Sequence, residues 1–248
     1  MTDFSYQLYS SRNFQPLDAT LSMIAKAGYT AVEGYGGLYG DAATLAAHLK
    51  ANRLVMKTGH FGLDMLEHEV SHALTVATTL GMERIYCPYV LPADRPTDAA
   101  GWRAFGARLQ AASAPYRAAG FGFGWHNHDF EFVALPGGEI PQDLIFEGGP
   151  DLEWEADIAW IIRGGADPFA WIMKYGNRIT AAHVKDIAPK GENVAEDGWA
   201  DVGHGTVDWA RLMVALRATA CENFVMEHDN PVDHSRFANR SITSAKGF

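Results

Sequence analysis

Cysteine is scarce in this 248-residue chain, where Cys87 and Cys221 are the only two. That excludes a disulfide framework and a cysteine-built zinc cluster. Basic residues are also in deficit, with 20 Lys and Arg against 30 Asp and Glu, for a net charge of −10. Phosphate-backbone binding needs clustered Lys and Arg, so nucleic acid is not an expected partner. No apolar run approaches the roughly 18 residues of a membrane span. The N-terminal MTDFSYQLYS lacks the basic-then-apolar pattern of a secretory signal. Together these absences predict a cytoplasmic protein without a membrane partner. A small neutral polyol is not repelled by such a surface, and a bound divalent cation would offset the acidity locally.

The composition, 48% hydrophobic and 20% charged, is that of an ordinary globular protein. Short apolar segments alternate with helical ones along the whole chain. Strands are expected near residues 4–9, 30–34, 53–59, 84–88, 121–127, 151–157, 179–184 and 223–227. Helices are expected near 17–27, 42–51, 64–80, 98–119, 141–147, 167–175, 207–219 and 234–244. Gly28, Gly81 and Gly120 follow Ala- and Leu-rich helices where a left-handed cap is wanted. Asp18 and Asp208 open helical stretches as N-caps or first-turn acids. No linker, repeat or low-complexity tract interrupts the pattern. Alternating β and α elements imply a parallel sheet with right-handed crossovers. Eight such pairs in a chain of this length predict an α/β fold, a (β/α)8 TIM barrel, as one domain over residues 1–248. The irregular stretch from Ile187 to Val207 follows the seventh strand, where a substrate-covering loop is expected.

One motif invites a wrong turn. His68-Glu69-Val70-Ser71-His72 spells HExxH, in which two histidines share a helix face and bind zinc. The expected buried stripe of that helix runs Leu66, Val70, Ala73, Leu74, Ala77 and Leu80. His68 and His72 each sit two residues past a stripe position, about 200° around the helix. They are expected on the solvated face, without a metal.

The chemistry gathers instead at strand ends. The runs FGFGWHNH, LEWEAD, ITAAHVKD and NFVMEHD carry His126 and His128, Asp157, His183 with Lys185 and Asp186, and Glu227. In a closed barrel the C-terminal strand ends open on one face. Side chains of these types that converge there have the character of a mixed nitrogen and oxygen site for one divalent metal. His126 and His128 have equal parity and project to one side of an extended segment. Beyond them, Phe130 and Phe132 are expected to pack, with Asp129 and Glu131 as a solvated face. Glu153, Glu155 and Asp157 also share parity; inside a barrel each needs a partner, and Asp157, the last, is best placed for a cation. Taken alone, Lys185 and Asp186 would be a surface pair worth little. On the same rim, Glu33 needs a partner and is read as binding a substrate hydroxyl in preference to a structural ion pair, and His60 as a packed histidine within reach of substrate or a second metal. Trp160 serves equally as a platform for a sugar or as core packing.

In the order GYTAVEGYGG, WHNHDFEF, ExDxxW at Glu155–Trp160, HVKD at 183–186, VGHGTVDW at 202–209 and MEHDNP at 226–231, the chain resembles the xylose-isomerase-like TIM barrels, the sugar phosphate isomerase/epimerase superfamily. The resemblance implies one divalent metal (manganese, zinc or cobalt) held by the ends of strands five to eight. Asp157, His183 and Glu227 match three of its ligand positions. The fourth is usually a Glu on strand five; counted from Gly120 it falls on His126, with His128 as the alternative ligand. His204 likewise stands in the VGxG loop where a Glu is common, near the substrate.

The resulting expectation is a sugar isomerase or epimerase that acts on a keto-sugar or polyol derivative through an enediolate. Glu227 would shuttle the proton, a strand-five histidine would serve the opposite face with a pKa already near neutrality, and Lys185 would stabilise charge on oxygen. No phosphate-gripping loop is evident, which favours an unphosphorylated substrate. The alternatives are a lyase or dehydratase that eliminates from a keto-sugar or 3-keto-glycoside, and, more distantly, a non-catalytic sugar-binding barrel. Expected partners are the small sugar and, at most, further copies of the chain.

Overall fold

The computed structural model describes residues 4–248; residues 1–3, the start of the expected domain, lie outside the described residues. The chain runs β1 (Phe4–Gln7), α1 (Leu17–Ala27), β2 (Ala31–Tyr35), α2 (Ala42–Ala51), β3 (Val55–His60), α3 (Leu63–His68) and α4 (Val70–Leu80). It continues with β4 (Arg84–Cys87), α5 (Ala99–Ala118), β5 (Gly122–His126), α6 (Pro141–Gly148), β6 (Glu153–Asp157), α7 (Ile158–Arg163) and α8 (Pro168–Tyr175). Then come β7 (Ile179–Val184), β8 (Asp186–Ile187), β9 (Trp199–Ala200), α9 (Trp209–Arg217), β10 (Asn223–Met226) and α10 (His234–Ala245).

Eight of the strands form a closed barrel in the order β1-β10-β7-β6-β5-β4-β3-β2, with every neighbouring pair parallel. This is the expected (β/α)8 barrel. Gly28, Gly81 and Gly120 all take left-handed φ values, 107°, 72° and 93°, as their cap positions require. Asp208 caps α9 by accepting from the Arg211 N–H at 3.2 Å. Among the described residues, no helix is long and apolar enough to cross a membrane.

Three local expectations need correction. The helix expected over 64–80 bends at Glu69, whose φ of −122° and ψ of 37° separate α3 from α4. His68 and His72 are both exposed and on different helices, so the HExxH spacing does not place them on one helix face. The short helix α7 was hidden inside an apolar run that reads equally as loop. The stretch after β7 is less irregular than its glycines suggest. β8 and β9 pair as an antiparallel ribbon, and the buried Asp186 carboxylate accepts from the Gly203, Gly205 and Val207 N–H groups at 2.9, 3.2 and 3.1 Å. Asp186 therefore folds this loop rather than pairing with Lys185 at the surface.

Alternation along the strands gives the barrel two kinds of face. Trp125, Trp154, Ala156, Ala182 and Val184 are fully buried outside the barrel wall against the helices. The inward residues are unusually polar. Ser5 donates to Asn223, Asn223 to Thr58, and both Thr58 and Gln7 to Glu33. This satisfied ladder fills the lower barrel and supports Glu33 at its top.

The turn after β5 is pinned by Glu131, which is buried and not part of a solvated face. It accepts from the Trp125 indole N–H at 3.0 Å and from the His128 N–H at 2.9 Å. Burial pushes its carboxyl up to about 8, from an ordinary value of 4.5. In the unfolded chain the same group releases its proton near 4.5, so the native state holds a proton that the unfolded state has lost. Stability from this group is then lost as pH rises through the window from about 4.5 to 8. Glu131→Gln cannot ionise, although its amide NH2 faces a donor and lowers stability at acid pH. The difference in unfolding midpoint between parent and variant should narrow steadily as pH rises across that window. A difference that is constant with pH would show that Glu131 does not titrate there.

Candidate metal centre

The C-terminal strand ends surround a cavity of about 610 Å³ whose wall includes Tyr9, Tyr35, His60, Tyr89, His126, His128, Trp160 and Glu227. At its floor three inward residues meet. His183 Nδ1 lies 2.9 Å from Glu227 Oε2 and 3.9 Å from Asp157 Oδ2. Each offers a ligand atom within 4.8 Å of the others. Asp157 is fixed by Asn127, whose side chain accepts from the Asp157 N–H at 3.0 Å and donates to its carbonyl at 3.1 Å. Its Oδ1 accepts from the Trp160 N–H at 2.9 Å and so caps α7, while Oδ2 is buried without a hydrogen-bond partner. That oxygen, 3.7 Å from the Lys185 ammonium, fits a ligand to a cation.

A second layer lies behind this group. His183 Nε2 is 2.8 Å from Glu33 Oε1 and 3.4 Å from Glu155 Oε2. Glu155 Oε2 also meets His60 Nε2 at 2.5 Å and His126 Nδ1 at 3.2 Å. Both acids follow register shifts, at Val32/Glu33 against β3 and at Trp154/Glu155 against β7. Such bulges re-aim side chains beside active sites. With Nε2–H donated to carboxylates, Nδ1 of His183 is directed at Asp157 and Glu227, the usual orientation of a metal-ligating imidazole.

The electrostatics point the same way. Burial disfavours charge on His183, yet Glu155, Glu227 and Glu33 outweigh it and hold the ring protonated well above its ordinary range. Burial likewise opposes the Glu227 charge, but Lys185 and His183 keep that carboxyl well below the usual range. Two acids are left short of positive charge. Burial, with Glu155 adding repulsion, raises Glu33 to about 7, and burial raises Asp157 to about 6 despite Lys185 and His183. A divalent cation between Asp157 Oδ2, His183 Nδ1 and Glu227 Oε2 would take the place of the proton on His183 and supply that charge. Two carboxylates and one imidazole suit a divalent transition metal, with open positions left toward the cavity.

Several expected roles change. His126 is grouped with His60, Glu155 and His183 rather than with Asp157 and Glu227, because its register partner on β6 is Glu155. That second group, whose ligand atoms also lie within 4.8 Å of one another, could itself hold a metal, so the structure places His126 beside the Asp157–His183–Glu227 group and not within it. His128 is on the cavity wall, packed by Tyr89, Phe130 and Trp160 at ring distances of 4.9, 6.0 and 5.4 Å. Burial, then the neighbouring His126 and Lys185, keeps it neutral well below its ordinary pKa, so it has no value poised near neutrality. Lys185 is fully buried and absent from the cavity wall. Its ammonium lies 2.5 Å from Asp229, 3.2 Å from Glu227 and 3.7 Å from Asp157, so it braces carboxylates rather than a substrate oxygen. Glu33 is fully buried and not among the residues that line the cavity, and it pairs instead with His183. His204 is exposed, 3.3 Å from Ser244 on α10 and away from the cavity wall, because the loop held by Asp186 turns it outward. That loop also does not cover the cavity; its Trp199 packs on Trp160 and on the Lys185 ammonium, at 4.8 and 4.2 Å.

His60 and Trp160 do reach the cavity wall. Residue parity had signalled Glu155 without its role, whereas Asn127, Asp229, Arg12 and Arg95 had gone unremarked. Asn127 stood between the two expected histidines, and its neighbours were the available signal.

No protein-family model and no curated protein matches the chain. Solved structures do. A sugar phosphate isomerase/epimerase from Parabacteroides distasonis superposes with a TM-score of 0.82 at 18% identity, over 98% of this chain and 92% of its own. The shared feature is the (β/α)8 barrel, found also in a xylose isomerase domain protein from Alicyclobacillus acidocaldarius, with a TM-score of 0.74 at 13% identity over 100% of this chain and 98% of its own. "The probable 3-DHS dehydratase AsbF involved in the petrobactin synthesis from Bacillus anthracis" gives 0.79 at 14% identity, over 99% of both chains. The IOLI protein with a bound zinc atom gives 0.72 at 15% identity, over 99% of this chain and 96% of its own. At such identities the likeness establishes the fold.

Metal analysis of the purified protein should give about one equivalent of divalent ion, as for a single site with open positions. Asp157→Ala should lose it and the His68→Ala/His72→Ala double variant should keep it. Glu155→Gln, which weakens the carboxylate behind His183, should lower metal affinity on the order of 10–100-fold. Full metal retention by Asp157→Ala would rule out this site.

Proposed function

We propose that the protein is a metal-dependent isomerase or epimerase that acts on a keto-sugar or related polyol derivative. The observation that carries this reading is Glu227, which belongs at once to the Asp157–His183–Glu227 group and to the cavity wall. A base so placed stands beside both a Lewis acid and the bound substrate. Similarity to a sugar phosphate isomerase/epimerase and to a zinc-bound barrel supports it.

Asp157, His183 and Glu227 would hold the ion, which when bound supplies Lewis acidity toward vicinal carbonyl and hydroxyl oxygens. Lys185 and His183 keep Glu227 ionised and thus able to accept the proton from the carbon next to the carbonyl. The electron pair moves onto the carbonyl oxygen as an enediolate forms. Return of a proton to the neighbouring carbon gives the isomer, and its return to the opposite face gives the epimer. His128 lines the same cavity, with Nδ1 unpartnered. Burial keeps it neutral in the free protein, so as the second proton carrier it would take up a proton as negative charge develops on the substrate and then return that proton to carbon.

A specific observation supports a second reading. The cavity that Glu227 lines also carries two neutral imidazoles, His126 and His128, where a paired carboxylate would make proton transfer symmetric. An imidazole that has gained a proton can give it to a departing β-oxygen, so the same enediolate would end in elimination. The likeness to a dehydratase fits this course.

Incubation with a panel of keto-sugars in D2O and manganese, followed by NMR, distinguishes the outcomes. Deuterium next to the carbonyl with the carbon skeleton and substituents intact supports the isomerase; loss of a substituent supports the lyase. Glu227→Gln should abolish exchange even where metal remains. His128→Ala should lower turnover by about 10²–10⁴ with metal retained, the usual loss for a general acid–base group. Absence of exchange across the whole panel would overturn both readings in favour of a binding protein.

A further inference from the structure

The cavity that opens above the candidate metal centre is lined by two cations, Arg12 and Arg95, and by no lysine. They come from the loops after β1 and β4, strands that stand three places apart around the barrel. Each is held in place without a counter-charge. Arg95 donates Nε–H to the Val90 carbonyl at 3.2 Å and Nη2–H to the Tyr89 hydroxyl at 2.7 Å. Its guanidinium lies over the Phe130 ring at 3.5 Å. Arg12 donates Nη1–H to the carbonyls of Tyr9 and Asp229 and lies over the Tyr9 ring at 4.1 Å. Among the described residues, neither guanidinium has a carboxylate within 4.0 Å.

The acids of the same wall pair with neither arginine. Glu227 and Asp229 flank the Lys185 ammonium, and Asp129, also on the wall, makes no ion pair within 4.0 Å with either arginine. In a chain of net charge −10, an anion is repelled nearly everywhere. Two uncompensated guanidinium groups at one mouth reverse that field locally. Both keep N–H groups free, and the planar fork matches an oxyanion in two-point contact. Immobilisation by neutral acceptors and aromatic faces lowers the entropy lost when a ligand is gripped.

We propose that the substrate carries an acidic group, a carboxylate or a phosphate, which Arg95 and Arg12 bind at the cavity mouth while its carbonyl end faces the floor. This rests on the reading of the cavity as a sugar site and corrects the expectation of an uncharged substrate. The sequence signal was weak because the two arginines lie some eighty residues apart, outside any glycine-rich loop.

The test measures binding, by calorimetry, of D-gluconate, D-glucitol 6-phosphate and neutral D-glucitol to the full chain freed of metal by chelation. Removing metal prevents an acid from being captured by the ion itself. At least one acid should bind on the order of 10–100-fold more tightly than glucitol, as for hydrogen bonds to a charged group. The stronger of the two identifies carboxylate or phosphate as the recognised chemistry. Arg95→Ala should collapse the ratio of acid to neutral affinity towards one, and Arg95→Lys, which keeps the charge but loses the fork, should restore part of it. Arg12→Ala should lower the same ratio; because Arg12 also braces Asp229, the Arg95 variants decide. Equal affinity for all three compounds, or a preference that survives in Arg12→Ala/Arg95→Ala, would overturn the proposal. The result is independent of the deuterium-exchange assay. Exchange of neutral keto-sugars without any acid preference would leave the isomerase standing and remove only this inference. An acid preference that depends on Arg95, without exchange, would do the reverse.

Discussion

The buried negative charge at the top of the barrel is the constraint around which the structure is arranged. Glu33, Glu155 and Asp157 are wholly inaccessible and Glu227 nearly so. Taking even one ionised carboxylate out of water costs several kcal/mol unless partners replace the lost hydration. Lys185, His183 and His60 are drawn inside for this reason, each against the penalty of its own burial. They do not suffice, since Glu33 and Asp157 remain raised toward neutrality. Apolar replacement of such a cluster would make a more stable barrel, so its presence calls for a chemical reason, and a divalent cation supplies one.

The fold meets this demand from two directions. From below, the hydrogen-bonded ladder of Ser5, Asn223, Thr58 and Gln7 reaches up to Glu33 and pairs these inward polar groups with one another. From the side, the shifts in register on β3 and β7 turn Glu33 and Glu155 toward the Nε2 side of His183. Outside the strands, Trp125 and Trp154 anchor the walls, and even there the polar ends are satisfied, by Glu131 and Asn127. Rigidity in these supports matters because an imidazole that must present Nδ1 to an ion tolerates little rotation.

The strands and most helices were legible because barrel strands are short apolar runs and the helices carry clear caps. Asp157, His183 and Glu227 were legible as strand-end residues for the same reason. Parity tells which side of a strand a residue occupies, but it is silent about depth. Lys185 shares parity with His183, and its reach into the carboxylates rather than into the cavity depends on Asp229, two residues beyond Glu227 in the turn after β10. Depth also separates Glu33, buried beneath, from His60, which reaches the wall. His126 was read by analogy as a ligand, but its cross-strand register with Glu155 claims it. His204 was misplaced because Asp186, taken for half of a surface pair, gathers the loop and turns that histidine outward. None of these depends on residue type alone; each depends on which neighbour the closed barrel supplies.

Positive charge therefore occurs at two depths with different tasks. At the floor, Lys185 and His183 are consumed by carboxylates of the protein itself and offer little to an incoming anion. At the mouth, Arg12 and Arg95 are held by carbonyls, a hydroxyl and aromatic faces, none of which neutralises them. An acidic sugar entering such a cavity meets attraction first at the rim, and repulsion from Glu227 if its anionic end advances further. Only the orientation with the acid outward and the carbonyl inward satisfies both fields. The electrostatic gradient along the cavity would thus select which carbon lies beside Glu227, and regiochemistry would follow from the placement of charges that never touch the reacting atoms.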